Sequence, residues 1–293
     1  MFLAQGDQMI RKIRKLLLLV LTCPSLVMKL IIRRSRLSIS RRIRGAKIEP
    51  IDGVKFEYDF EYAPHVNKMY FGLYEPLVIH TLQRFLNRGD IFIDVGSNIG
   101  YLSAVGCSLV GKNGSVYCFE PSPREFEKLE KLAPLNPGYD IQCFNVACGE
   151  AESTLELDVS HVFGWNTLVP DFMRKDVYQE TVKVNVVRLD DFILEKISQP
   201  EKIKLIKIDV EGYEYYVLRG LRKFFQLAKP FIVCEITPRG SALLGIKLEA
   251  IASFMKEMGY KATHLINPKF EIDLINLTYQ EDILFVPVSK SGF

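Results

Sequence analysis

The chain has 293 residues, 48% of them hydrophobic and 25% charged, which suits a globular protein with a sizeable core and excludes a disordered or fibrous class. Its formal charge of +3 is uneven: residues 1–47 hold twelve Lys or Arg against the single acid Asp7, a balance of +11, and the other 26 basic and 34 acidic residues give −8. An acidic body argues against nucleic acid as its partner, while the basic arm suits an anionic surface.

Residues 1–47 read as a basic, apolar N-terminal arm. The run Leu16 to Ile32 is flanked by Arg11-Lys12-Ile13-Arg14-Lys15 and Arg33-Arg34-Ser35-Arg36, and is interrupted by Pro24 and Lys29. A spanning helix wants about 20 apolar residues. This run is shorter, is broken by proline and carries a charge. It predicts a helix or helix pair on an anionic membrane surface through residues 9–47. A spanning anchor or an arm packed on the domain are the alternatives. The six cysteines, 23, 107, 118, 143, 148 and 234, form no CxxC pair and no zinc spacing. Cys118, Cys143 and Cys234 sit in strand-like apolar runs, which predicts buried free thiols. It points to a reducing, cytoplasmic location, with the arm at the cytoplasmic face of a membrane.

Residues 48–90 read as a lead-in subdomain. Ile48 to Tyr62 alternates around Asp52-Gly53, a hairpin signal. Pro76 suits a helix first turn, and Leu77 to Leu86 is helix-periodic.

From residue 91 to 293 the pattern is α/β. Strand 91–95 leads to helix 99–110, and strand 115–119 to helix 123–133, with Ser122 and Glu125 spaced as a capping box. Strand 140–146 follows. Segments 153–159 and 181–189 alternate as added β structure around a loop from His161 to Pro170. Helix 190–197, strand 203–209, helix 214–225, strand 231–235 and helix 247–258 come next. Strands 261–266 and 282–288 close the chain with no helix between them, so the last strand is antiparallel. Alternating elements imply a mostly parallel sheet with helices on both faces. Ligands bind such sheets beyond the carboxyl ends of the strands. Asp94, Glu120, Asp209 and Glu235 all close strands there.

Residues 91–100, Ile-Phe-Ile-Asp-Val-Gly-Ser-Asn-Ile-Gly, have the form strand, tight turn, helix. Gly96, Asn98 and Gly100 permit a close backbone approach, and the helix start offers free N–H groups. Glu120, 26 residues after Asp94, ends the next strand and is placed to accept from both hydroxyls of a ribose. NAD sites use the same acid, but the turn lacks the G-x-G-x-x-G trio that seats a pyrophosphate, and no P-loop is present. A nucleoside without a diphosphate fits better, and S-adenosylmethionine is one.

The second cluster is Lys207-Ile208-Asp209-Val210-Glu211-Gly212-Tyr213-Glu214. Acids at a helix start also suit the dipole. Read as chemistry, Asp209 or Glu211 faces the transfer point, and a carboxylate there takes the proton of an acceptor hydroxyl. Glu211 is the expected base and His161 the second candidate. Asp209, Glu211 and Glu235 are metal-type ligands, but their spacing is not diagnostic and no metal is assigned.

Together these segments resemble the FkbM-type methyltransferases. The matching residues are Gly72-x-Tyr74-Glu75, Ile93 to Gly100, Phe119-Glu120-Pro121-Ser122-Pro123, Asn145-Val146-Ala147 and Leu189-Asp190-Asp191. Lys207 to Glu214 with Val217-Leu218-x-Gly220, and Lys229-Pro230 through Glu235, complete the set. The resemblance implies a class I, Rossmann-like methyltransferase sheet with S-adenosylmethionine as cofactor. Asp94, Gly96, Asn98 and Gly100 would line the methionine side. Glu120, followed by Pro121, would hold the ribose; Asn145, Val146 and Ala147 would lie near the adenine; Tyr74 and Glu75 would cap the site. Family members commonly O-methylate sugars, glycolipids or polyketide products, which implies a small-molecule or glycan acceptor. Ser97 and the bulky Tyr213 depart from the common pattern, the latter narrowing the acceptor side. The alternatives are a catalytically silent, membrane-tethered nucleoside-binding module and an NAD-dependent enzyme.

Overall fold

The computed structural model describes residues 44–290, together with Pro24, Val27, Met28, Leu30, Ile31 and Arg34 of the arm, which are helical. The membrane-surface expectation for residues 9–47 therefore falls mainly outside the described residues. Among the described residues no helix is long and apolar enough to cross a membrane.

Strands β1 (Ala46–Ile51) and β2 (Val54–Asp59) pair antiparallel around Asp52 and Gly53. Both turn residues have positive φ, 45° and 95°, as a two-residue type I′ hairpin requires. Val54, Phe56 and Tyr58 alternate into the core. Helices α1 (His65–Tyr70) and α2 (Pro76–Phe85) follow, the first unanticipated because its six residues are too few to show a period.

The main body begins with β3 (Ile91–Val95), α3 (Tyr101–Val110), β4 (Ser115–Phe119), α4 (Pro123–Leu129), α5 (Leu132–Leu135) and β5 (Asp140–Phe144). A small sheet of β6 (Ala147–Gly149), β7 (Ser153–Ser160) and β8 (Tyr178–Arg188) is inserted next. The chain continues with α6 (Leu189–Lys196), β9 (Ile203–Ile208), α7 (Glu214–Arg219), α8 (Arg222–Leu227), β10 (Phe231–Ile236), α9 (Pro238–Leu243), α10 (Leu248–Glu257), β11 (Tyr260–His264) and β12 (Glu281–Pro287). The seven-stranded order is β11-β12-β10-β9-β3-β4-β5, and β12 alone runs against the others.

β3 is buried at all five positions because helices cover both faces of the sheet. One face packs Phe92, Val116 and Leu205 against α2, α3 and the hairpin. The other packs Ile93, Ile206 and Ile232 against α6, α7, α8 and α10.

Several local readings change. The helix expected over 123–133 is two pieces, α4 and α5. Ser122 makes no cap hydrogen bond to the backbone; its hydroxyl donates to the Glu125 carboxylate. Glu125, fully buried, instead joins three segments by also accepting from the Tyr62 hydroxyl and the Asn166 amide, and it pairs with Arg124. The helix expected over 214–225 breaks near Gly220. A Cβ there would lie 2.0 Å from the Gly149 carbonyl oxygen, so β6 packs directly on that backbone. Buried Asp190 then accepts from the N–H groups of Lys223 and Phe224 at 2.9 and 2.7 Å, satisfying the start of α8.

Asn136 holds the hairpin to the body. Its Oδ1 accepts from Lys55 N at 2.7 Å, and its Nδ2 donates to the Lys55 and Leu132 carbonyls, each at 2.8 Å. Asn136→Ala leaves the Leu132 carbonyl and the part-buried Lys55 N–H and carbonyl without this partner and is expected to lower stability by about 2 kcal/mol. Urea denaturation checks this; a change within about 0.5 kcal/mol, the range of ordinary surface substitutions, removes the docking role.

Candidate active site

A cavity of about 390 Å³ opens at the carboxyl edge of the sheet. It lies where the strand order reverses, between β3 and β9, within the size range of small-ligand sites. The ends of β3, β4, β9 and β10 all reach it, joined by the segment before α2 and by the loop between β7 and β8.

The turn after β3 is built on backbone contacts. Gly96 and Ser97 donate to the Phe119 carbonyl at 2.9 and 3.0 Å, locking β3 to β4. Gly96 has φ 78°, and a Cβ would sit 1.8 Å from the Asp209 carbonyl oxygen, so only glycine lets the ends of β3 and β9 meet. Asn98, with φ 53°, donates its backbone N–H to Glu120 Oε2 at 2.8 Å, and Ser122 N donates to Oε1 at 2.9 Å. Each Glu120 oxygen keeps acceptor capacity on the cavity side. Burial raises the Glu120 pKa to about 8.

Of the residues singled out by sequence, Tyr74, Glu75, Gly96, Asn98, Glu120, Pro121, Val146, Ala147, Asp209 and Glu211 line the cavity. Four do not. Asp94 is fully buried behind the wall, where it accepts from Ser103 Oγ at 2.6 Å and faces Lys207 Nζ at 3.8 Å. Gly100 starts α3, and a Cβ there would press on Leu129 at 2.7 Å, so its role is helix packing. The Asn145 amide donates to the Glu120 and Pro121 carbonyls at 2.9 and 3.0 Å and braces the loop after β4 from outside. His161 is exposed and does not line the cavity; its backbone N–H donates to the Val177 carbonyl.

The far side of the cavity is acidic. Asp209, Glu211 and Glu235 have carboxylate oxygens within 4.8 Å of one another. Buried Lys207 pairs with Asp209 at 3.1 Å and with Asp94. Burial lowers its pKa, but these two acids outweigh burial and hold it above the usual lysine range. Burial, then Asp209 and Asp282, push Glu235 up to about 12. Glu211 is also held well above the carboxylate range by burial and Asp209. That direction disfavours the charged form and sets Glu211, the base expected from the sequence, beside two other carboxyl groups on the cavity wall. Burial, Asp282 and Asp209 place Glu75 at about 7.

Sequence reasoning missed the contributions of His65 and Gln280 and gave Lys207, named in the second cluster, no role of its own. A lysine inside an apolar strand was the available signal for Lys207. For Gln280, which donates to Glu235 at 2.5 Å across 45 residues, there was none. Phe163, stacked on His65 with ring centroids 5.4 Å apart, is set by the fold alone.

This strand order, with a cavity at its switch point, is the class I methyltransferase architecture. Residues 94–262, more than half of the chain, match the family model of the methyltransferase FkbM domain, and the chain belongs to that family. It is similar to hexuronic acid methyltransferase AglP of Haloferax volcanii, 26% identical over 159 residues, 54% of this chain and 61% of that protein. It is also similar to Methyltransferase 1 of Beauveria bassiana, 28% identical over 147 residues, 45% of this chain and 58% of that protein. The chain thus spans about three-fifths of these relatives. Among solved structures it is similar to Aeropyrum pernix fibrillarin with natively bound S-adenosyl-L-methionine, at a TM-score of 0.41 and 14% identity, covering 85% of this chain and 86% of that one. The cofactor is S-adenosylmethionine. The residues present fit it: a carboxylate with free acceptor capacity for a diol, apolar walls at Phe119, Val146 and Ala147, and acids to balance a cationic sulfonium and ammonium.

The raised acids make stability depend on pH. Glu75, Glu120 and Glu214 sit at about 7, 8 and 8 in the folded chain against an ordinary value of 4.5, mainly through burial. The folded state therefore binds protons more readily, and the stability these groups contribute is lost as pH rises from about 4.5 through 8. The ligand-free protein should show a lower Tm at pH 8.5 than at pH 5.5 by differential scanning calorimetry. A Tm that climbs across this range contradicts the assignment.

Proposed function

We propose that this chain transfers a methyl group from S-adenosylmethionine to a hydroxyl of a saccharide, glycolipid or related natural product. The observation that carries the reading is the shared cavity, lined by the Gly96–Asn98 turn and Glu120 together with Glu75, Asp209, Glu211 and Glu235.

When bound, the cofactor supplies an electrophilic methyl on a sulfonium. Glu120 would hold the ribose hydroxyls through the lone pairs left by its two backbone hydrogen bonds, Phe119, Pro121, Val146 and Ala147 would enclose the base, and Tyr74 would cover the site. In-line transfer depends mostly on positioning, which a cavity walled by strand ends supplies. An acceptor hydroxyl is a weak nucleophile at neutral pH. Glu75, poised at about 7, is the carboxylate best matched to take its proton, while Glu235, pushed up to about 12, holds its own. These acids titrate as a group, so the step near neutrality belongs to the cluster with Glu75 as its main member. The hexuronic acid named for the archaeal relative supports a sugar acceptor in general.

The demethylated product, S-adenosylhomocysteine, should raise the Tm of the wild-type chain by mass action and raise that of Glu120→Ala much less. With labelled donor and a glycan extract, turnover should increase as pH passes through about 7. Glu75→Gln should flatten that rise and reduce the rate on the order of 10²-fold or more. Binding of the product without turnover on any extract would instead favour a silent binding module.

A further inference from the structure

The chain has a single tryptophan, Trp165, and it lines the cavity while 46% exposed. An isolated exposed aromatic needs no explanation on a protein surface. This one differs because everything around it is tied down. Phe163 stacks on His65 and meets Tyr62 edge-on at 6.1 Å. Asn166 donates to Glu125 at 2.9 Å and accepts from Ser160 N at 3.0 Å. Thr167 donates to the Glu211 carbonyl at 2.7 Å and exchanges backbone hydrogen bonds with Asp158. Among the described residues no ring stacks on the Trp165 indole. The loop thus holds a large flat π-face at the cavity wall, with its neighbour Thr167 fastened to the carbonyl of one cluster acid.

The same cavity is lined by Glu75, Glu120, Asp209, Glu211 and Glu235 against Lys68 and Lys207, and Lys207 is already engaged by Asp94 and Asp209. A further negative charge would meet carboxylates and no unengaged buried cation.

Resting on the methyl-transfer reading above, we propose that the acceptor is an uncharged sugar ring that stacks its C–H face on Trp165 and turns its hydroxyls toward the acid cluster, and that, unlike the hexuronic acid named for the archaeal relative, rings bearing a carboxylate are excluded. The physical reasons are separate. An aromatic face carries negative charge and attracts the weakly positive C–H groups of a pyranose, and Trp offers the widest such face. Carboxyl groups accept or donate hydrogen bonds to sugar hydroxyls according to protonation. A uronate would bring a further charge into a wall of carboxyl groups whose buried cation, Lys207, is already engaged by Asp94 and Asp209, so it would be desolvated without a buried partner.

Because Trp165 is the sole tryptophan, its fluorescence reports on this wall alone. The full chain saturated with S-adenosylhomocysteine is titrated with methyl glucoside, methyl galactoside and methyl mannoside, and in parallel with the matching methyl uronosides at pH 7.5. At least one neutral glycoside should change the emission saturably, with the corresponding uronoside binding at least about 10-fold more weakly, which is about 1.4 kcal/mol. By calorimetry, Trp165→Ala should lose glycoside binding and Trp165→Phe should keep part of it, while both still bind S-adenosylhomocysteine. The proposal is overturned if no glycoside perturbs Trp165, if uronosides bind as well as neutral rings, or if Trp165→Ala binds glycoside unchanged. Each of those results leaves the methyl-transfer reading standing, because the demethylated cofactor still binds. Loss of that binding in the wild-type chain would sink the methyl-transfer reading instead.

Discussion

The buried ammonium of Lys207 is the constraint on which the site depends. It sits in a central strand between Asp94 on the neighbouring strand and Asp209 at its own strand end, within 3.8 and 3.1 Å. A lone buried lysine is costly, and so is either acid without it; together the three tolerate burial. The triad ties β3 to β9 at the point where the sheet changes direction. The bare backbone of Gly96 lets those same strands close against Asp209. The cavity exists because these strands meet there and their following loops diverge.

One lysine does not balance the edge. Glu75, Glu211 and Glu235 crowd the same wall, and Asp282 stands close enough to raise two of them. Burial and mutual repulsion raise all three above the usual carboxylate range. Such an arrangement stores a preference for a positive partner, which a sulfonium and an ammonium satisfy, and it resists an anionic one. Binding, proton uptake and acceptor charge are therefore linked through one set of carboxyl groups.

Much of the architecture was legible in the chain because its signals are local. The apolar run of β3 closing on Asp94, the alternation of β2 around Asp52-Gly53 and the acids closing successive strands place the sheet and its working edge. Gly96, Asn98 and Glu120 were found for the same reason, since strand, turn and acid lie on a contiguous or regularly spaced stretch. The misses have a common cause. Asp94, Gly100 and Asn145 belong to the right segments, but side-chain direction separates a residue that lines a cavity from one that braces it from behind. His161 was a plausible base by type, but it is exposed and does not line the cavity. Ser122 and Glu125 have capping-box spacing, yet Tyr62 and Asn166, 63 and 41 residues from Glu125, take its carboxylate for a tertiary junction.

By itself the sequence determined the α/β class, the strand ends that carry the chemistry and the nucleoside-type turn, because hydrophobic period and glycine placement act over a few residues. Only the tertiary structure decided which acids are raised, which residue is poised near neutrality and that Trp165 faces the cavity. Those properties depend on burial and on distances between groups far apart in the chain, such as Gln280 and Glu235, or Thr167 and Glu211. A pKa or a stacking surface is a property of an environment, and that environment is assembled only when the strands meet.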